Sequence, residues 1–521
     1  MEPKRDLDTK AKALVKTSPE EAVKIYTQIW ENYSSDFNSW DAFYTLQSLR
    51  GSKSPSLKWA RELIEKYPEE ITGNIYGWLV FDHCIKGKER KDILAFEPFI
   101  TSLPKFCTQK DLSVDTQYPC PTTISILKLC EAHSENQFNA TKINSLLEAL
   151  DYQKLSAVPK AFTKDDGKEV EPSSDLEKYF SLRTKALFKL AKYEDCKELA
   201  ELALQRLDKF HTDNDLWFKM RIALCEEGLG NHETSEQQLS ELLSSRAGSN
   251  KWFLYRDLAD VCFEKGEYVK AWKYAVDATF HGNEPGFMIK LYLLQAKILY
   301  KLSRAEEGKL LAELIAAILK EEGWREKQEY SKLFSFYKID TSAIRSAQEV
   351  LKDANQFWSK ERYGNQAKEQ GEIIRINRNG KSGLIKLPSG ERVDFHKKDL
   401  VKRFKSLEEL VGAQVEFYKM AAFNGKPAGE CIEVKKMPVR NAAPTDSSFP
   451  KGELEGTVKN VADFGVFIKI PGHGDGLLHK SKVPAKWQES MKEIFPTGKK
   501  VKVKIQKVTD KGTQLQLVDS I

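Results

Sequence analysis

The segment GELEGTVKNVADFGVFIKIPGHGDGLLHKSKV, Gly452 to Val483, puts two phenylalanines, a histidine and several lysines on one short glycine-punctuated stretch. These side-chain types suit unpaired nucleic acid: flat rings meet base faces and ammonium groups meet phosphates. A core strand would hide its aromatics. Here Phe464 and Phe467 are separated by Gly465 and Val466, so both cannot follow the two-residue period of a flat strand. The spacing predicts a bent or bulged strand that presents ring faces. The alternative reading is that both rings close a small core and His479 caps a turn.

The chemistry of the rest of the chain narrows the class. The net charge of +6 is unevenly spread: residues 371–521 carry roughly +10 and residues 1–370 roughly −4. A basic module favours an anionic partner such as nucleic acid. No run approaches the ~18 apolar residues of a membrane span, and the first residues lack the apolar core of a signal peptide. The eight cysteines form no CxxC pair, which predicts reduced, mostly buried thiols in a cytoplasm. Residues 1–521 are long enough for several domains.

Upstream of about residue 370 apolar residues recur at helical spacing. Segments 180–204, 217–243, 252–280 and 291–319 each read as helix, short turn, helix. Their turns fall near Lys192–Tyr193, Gly230–Asn231, Lys265–Gly266 and Leu302–Ser303, about 36–39 residues apart. The 252–280 unit resembles a tetratricopeptide repeat, with Leu258, Ala259, Gly266, Tyr268, Ala271, Ala275 and Ala278 at its packing positions. Ser235 and Glu307 are expected at the places equivalent to Ala271. The reading is an α-solenoid in two lobes, 1–160 and 176–345, broken by the charged loop or hinge KAFTKDDGKEVEPSSD. Residues 346–370 supply a connecting helix that leads out of the solenoid. Trp217, Trp252, Trp272, Trp324 and Trp358 are expected to pack inside it, and His83–Cys84 to be buried rather than to bind metal.

After residue 370 the period moves towards two. A first β module spans 371–434, the proline-bearing tract 435–451 is a linker, and a second module spans 452–521. The second resembles the S-one type RNA-binding domain, named for a ribosomal protein. Gly456, Val458, Phe464, Gly465, Phe467, Gly476, Leu477, His479 and Ser481 carry the likeness. It implies a five-stranded OB barrel. It also implies that Phe464, Phe467 and His479 form the stacking surface, with Lys459, Lys480 and Lys482 tracking phosphates. The family often adds an acid and an arginine four positions later; Asp510 and Gln514 stand there, so the arginine is missing. Residues 371–434 look like a cold-shock-type OB domain. Where that family has stacking aromatics, this chain has Arg375, Ile376, Ser382, Leu384 and Asp394, and only His396 and nearby Phe395 remain. Arg375, Arg378, Lys381 and Lys386 are left to meet phosphate, or the module is a spacer with a solvated basic face.

No phosphate-binding loop, zinc-protease motif or nucleophile elbow is present. The expected protein is a multidomain α-solenoid followed by two OB barrels, acting as a non-enzymatic, cytoplasmic adaptor without cofactor or metal. Its ligand is single-stranded RNA, with single-stranded DNA as a second candidate, and its helical repeats hold a protein partner. The rival reading is a component of a bacterial defence system with a nuclease or toxin activity in residues 1–170. It rests on domain order, which is similar to accessory proteins of conflict systems.

Overall fold

The computed structural model describes residues 2–113, 119–163, 167, 169–245, 247–282, 284–364, 366–402, 404–421, 427–437, 452–471, 474–484, 487–509 and 512–518. Two compact units result, one built on residues up to Ala367 and one on residues from Lys368. Among the described residues no helix is long and apolar enough to cross a membrane.

The first unit is helical. After Lys4–Leu14, Pro19–Asn32, Ser39–Gly51 and further short helices come four helical hairpins: Asp175–Lys189 with Tyr193–Arg206, Asn214–Gly228 with His232–Ser244, Trp252–Glu264 with Tyr268–Phe280, and Ile289–Lys301 with Ala305–Glu321. All four turns fall where the sequence period puts them. Each turn has one residue in the left-handed region: Ala191 (φ 54°), Gly230 (84°), Gly266 (80°) and Ser303 (61°). The next N–H then returns to the carbonyl five residues back: Lys192 to Leu187, Asn231 to Glu226, Glu267 to Cys262 and Arg304 to Leu299, at 2.8–3.0 Å. That closure satisfies carbonyls that a helix C-terminus leaves open.

The turns also fix the packing register. Five residues beyond each left-handed residue stand Cys196, Ser235, Ala271 and Gly308, all small and buried. Gly308, not the expected Glu307, is the counterpart of Ala271, and a Cβ there would lie 2.2 Å from the Tyr337 hydroxyl. Ala191 holds a conformation that its Cβ disfavours. Ala191→Gly is therefore expected to raise the stability of the helical unit by about 1 kcal/mol, read as a higher midpoint in urea.

The expected break at 160–175 contains a short antiparallel pair, β1 (Phe162–Thr163) and β2 (Glu169–Val170). One buried cluster runs past it, from Leu7 through Leu155, Leu176 and Tyr179 to Ile222. His83 Nε2 contacts the Arg50 carbonyl at 2.8 Å, and burial pushes the Cys84 thiol up to about 12. Seven of the eight cysteines are buried. The helix Ala347–Tyr363 does not lead away from the repeats but packs back on them. Trp358 stacks on Tyr292 with centroids 5.4 Å apart and donates to Gln295 Oε1 at 3.2 Å. Arg304 grips Glu361 through two bonds of 2.8 Å each. Of the tryptophans expected inside, Trp272 and Trp358 are buried, whereas Trp217 and Trp324 are exposed.

The second unit holds two closed five-stranded barrels. The first comprises β3 (Glu369–Ile376), β4 (Ser382–Lys386), β5 (Arg392–His396), β6 (Gln414–Ala421) and β7 (Pro427–Lys436), in the order β3-β4-β5-β7-β6. The second comprises β8 (Leu454–Ala462), β9 (Gly465–Ile470), β10 (Gly474–His479), β11 (Lys500–Thr509) and β12 (Gly512–Leu517), with β8-β9-β10 continuing through β12 and β11. In both, the third and fifth strands pair in parallel, whereas the first strand pairs antiparallel with the second and the fourth, and the second antiparallel with the third, which is the OB arrangement. Ile373, Ile385, Val393, Phe395 and Phe417 fill the first core, and Val458, Val466, Ile468, Leu478 and Phe495 the second. Residues 438–451, most of the expected linker, lie outside the described residues.

Candidate nucleic-acid interface

In the second barrel the ring spacing has a simple cause. Ala462 pairs with Gly465, so Asp463 and Phe464 form a two-residue turn while Phe467 stands on β9. The expected bulge exists, but it lies on β8 between Val458 and Asn460 rather than between the rings. Val466 and Ile468 point into the core with no exposed area, which leaves Phe467 between them facing outward. Phe464 is 52% exposed, and its ring meets Phe467 edge to face at 6.0 Å.

Gly465 makes this arrangement fit. It lies opposite His479, and a Cβ there would come 2.6 Å from the Leu478 carbonyl oxygen and 3.1 Å from the His479 Cα. The Lys480 N–H then reaches the Phe464 carbonyl at 2.9 Å, joining the turn to the end of β10. His479 is exposed, and its Nδ1 accepts from the Ser481 N–H at 3.2 Å. It therefore caps the turn Lys480–Lys482 and still shows its ring to solvent. The two alternatives for His479 left by the sequence are compatible.

Pairing extends the outer row across four strands: Asn460 beside Phe467, Phe467 beside Leu477, Leu477 beside Gln514. Leu477 belongs to the sequence motif and Asn460 does not; the strand register shows both flanking Phe467. Lys480 and Lys482 have no ionic partner among the described residues, whereas Lys459 is paired with Asp475 at 2.5 Å. Lys459 is thus a weaker phosphate candidate than its position in the motif implies. Asp510 lies outside the described residues.

The first barrel repeats the scaffold with different side chains. The Lys397 N–H reaches the Lys381 carbonyl at 2.8 Å, as Lys480 reaches Phe464 in the second barrel. His396 ends β5 as His479 ends β10, and each is followed by a 3-10 turn. A bulge between Ile373 and Arg375 precedes the pair Arg375–Leu384, as one precedes Asn460–Phe467. Lys381 therefore stands in the place of Phe464, Leu384 in that of Phe467 and His396 in that of His479. Phe395 does not supply a ring: it is in the core at 1% exposure, and Ser382 is buried as well. The His396 N–H donates to the Asp399 carboxylate at 2.7 Å, and burial pushes that carboxyl up to about 6.

Among the described residues one group of acids and thiols has metal-ligating spacing, Glu236, Cys262 and Glu267 in the helical unit. Lys265 bonds Glu236 at 2.6 Å and Glu267 at 3.1 Å, so ammonium charge already neutralises the carboxylates.

Residues 449–518 match the family described as S1 RNA binding domain. The C-terminal barrel, with its outward-facing rings, is such a domain. Similar curated proteins include a polyribonucleotide nucleotidyltransferase of Deinococcus radiodurans, 33% identical over 20% of this chain and 13% of the relative. The transcriptional accessory protein Tex of Neisseria gonorrhoeae is 46% identical over 11% of this chain and 7% of its own length. Small ribosomal subunit protein bS1 of Streptococcus pneumoniae is 36% identical over 14% of this chain and 18% of its own. The chain thus spans under a fifth of the length of each of these relatives. Among solved structures, a tetratricopeptide repeat protein from Parabacteroides merdae overlaps 60% of this chain and 99% of that one, at a TM-score of 0.33 and 15% identity.

Proposed function

We propose that this chain, with its S1 RNA binding domain at residues 449–518, is a non-enzymatic cytoplasmic adaptor that binds single-stranded RNA and holds a protein partner on its helical repeats. The observation that carries the RNA reading is the outward ring cluster of exposed Phe464, half-buried Phe467 and exposed His479 beside two unpaired lysines, Lys480 and Lys482. Unpaired bases expose π-faces that such rings accept. Stacking needs no 2′-hydroxyl, so single-stranded DNA is a weaker second ligand. The relatives' names, which include a ribosomal subunit protein and a polyribonucleotide enzyme, support RNA over other polyanions. For the helical unit, Trp217 and Phe253 stack at 4.6 Å on its surface with Trp217 exposed. Exposed aromatic pairs of this kind are the residues around which protein interfaces concentrate binding energy.

The test is titration of a labelled oligoribonucleotide with the full chain, with residues 368–521 and with residues 1–367, all at one salt concentration. The fragment with the barrels is expected to bind nearly as well as the whole. Equal affinity in residues 1–367 would overturn the assignment. A cleavage assay with divalent metal is expected to leave the RNA intact.

Gln514 gives a gain-of-function check. It is exposed and in line with Phe467, two strands away. Gln514→Arg adds a guanidinium where the family often has one. Affinity is expected to rise, and the dependence of log Kd on log salt to steepen by about 0.7, the value for one added phosphate contact on a single strand.

A further inference from the structure

The first barrel offers the same frame as the S1 domain with the stacking rings replaced. Its outer face across β3, β4 and β5 is read from the pairing. Glu372 lies beside Lys386 and Lys386 beside Arg392; Arg375 lies beside Leu384 and Leu384 beside Asp394. Arg378 and Lys381 project from the β3–β4 turn, and His396 closes β5. The turn is built rigidly. The Asn377 amide donates to Ser382 Oγ at 2.9 Å, and the Lys381 N–H donates to Asn379 Oδ1 at 2.9 Å.

Charge distinguishes this face from the others. Arg375, Arg378, Lys381, Lys386 and Arg392 are all exposed, and none has an ionic partner among the described residues. Elsewhere on the same barrel Lys368 is tied to Glu433 at 2.5 Å, Lys419 to Glu391 at 2.8 Å and Lys435 to Glu416 at 3.0 Å, while Lys402, Lys405 and Lys436 stand apart without a carboxylate partner among the described residues. The acids on or beside the cationic face are Glu372, Asp394, Glu408 and Asp399, the last bonded to the His396 N–H, against five exposed cations. Pairing exposed cations adds little stability to a barrel, so the distinguishing feature is that five of them gather on one face. Five unpaired cations on one face suit a ligand that brings its own negative charge.

We propose that the β3–β4–β5 face of the first barrel holds the phosphate backbone of the same RNA strand whose bases stack on the S1 domain. The proposal rests on the RNA-binding reading above and adds a division of labour to it. Stacking is reduced, because Lys381 and Leu384 occupy the places of Phe464 and Phe467 and His396 alone keeps a ring, in the place of His479. The contacts are sequence-independent, since phosphates carry no sequence information. Two modules on one chain then raise affinity through effective concentration, even where one is weak alone.

The experiment uses the full chain and two fluorescent oligoribonucleotides, one of about 20 nucleotides and one of about 4, the lower limit for a single OB fold. The triple variant Arg375→Ala, Arg378→Ala, Lys381→Ala removes three exposed cations and no core atom. With the long probe it is expected to flatten the log–log salt slope by about 2, at roughly 0.7 per phosphate, and to weaken binding at low salt on the order of tenfold for every sequence tried. With the short probe it is expected to change little, because the S1 domain alone holds that strand. A folded triple variant that keeps the parent salt slope on the long probe overturns the proposal, as does one that loses a protein ligand but no RNA. Phe467→Ala in parallel separates the two readings: if it also has no effect, the RNA reading itself fails. A second variant, Lys381→Phe with Leu384→Phe, is expected to gain about fivefold or more in affinity while its salt slope falls by about 0.7. Unchanged affinity in that variant, once shown to fold, overturns the equivalence of the two faces.

Discussion

Replacing Phe467 with alanine is expected to weaken single-stranded RNA binding by about 5- to 150-fold, the loss of one stacked base at about 1–3 kcal/mol. The salt slope is expected to hold, because no phosphate contact is lost. Lys480→Ala should show the opposite pattern, a flatter slope and little loss at high salt. The pair of isotherm series across salt thus separates stacking from charge within one site. Fold damage is a small risk at Phe467. Its inward neighbours Val466 and Ile468 keep the core, while its own ring lies outside against Phe464. A thermal melt of the variant checks this. Intact RNA affinity in a folded Phe467→Ala protein rejects the stacking role; a collapsed barrel returns the motif to core closure.

The same residues show what the sequence made legible and what it did not. The helical hairpins were readable because their period and their turns coincide. At Gly230 and Gly266 the left-handed turn residue is glycine and marks itself. At Ala191 and Ser303 it is not, and after Ser303 the sequence reading puts Glu307 in the place that Gly308 fills, one residue early. The ring pair DFGVF was legible as an anomaly in strand period. Its cause was not, since only pairing shows that Phe464 is on a turn and Phe467 on a strand. Phe395 and Phe467 illustrate the remaining ambiguity. Both are phenylalanines on short β segments, and only register puts one in a core and the other outside. The Lys459–Asp475 pair and the return of Ala347–Tyr363 onto the repeats join residues 16 to 89 positions apart, separations that local pattern does not carry.

Trp358→Ala is expected to cost the helical unit about 3–5 kcal/mol, the range for deleting a large buried aromatic. The side chain is 2% exposed and stacked on Tyr292, and its indole N–H is the donor to Gln295 Oε1 among the described residues. Gln295 is itself fully buried and spends its amide N–H on the Ala275 carbonyl, so the truncation leaves an acceptor without a donor as well as a cavity. The remaining anchors of Ala347–Tyr363 hold both ends: the Arg304–Glu361 pair and the Trp272 bond to Glu361 lie beyond Trp358, and the Ala347 N–H bond to Glu321 with buried Val350 and Ala354 lies before it. Amide exchange should therefore accelerate first around Trp358, and the melting of the helical unit should move to lower temperature. Trp358→Phe retains the stack and loses only the N–H, so its cost is expected to be nearer 1–2 kcal/mol. RNA affinity below the melting range is expected to stay within about twofold of the parent for both variants, since sites that share no partners act independently. A drop in RNA affinity that tracks the lost helix would instead make the repeats part of the RNA site and would undo the separation of roles between the two units.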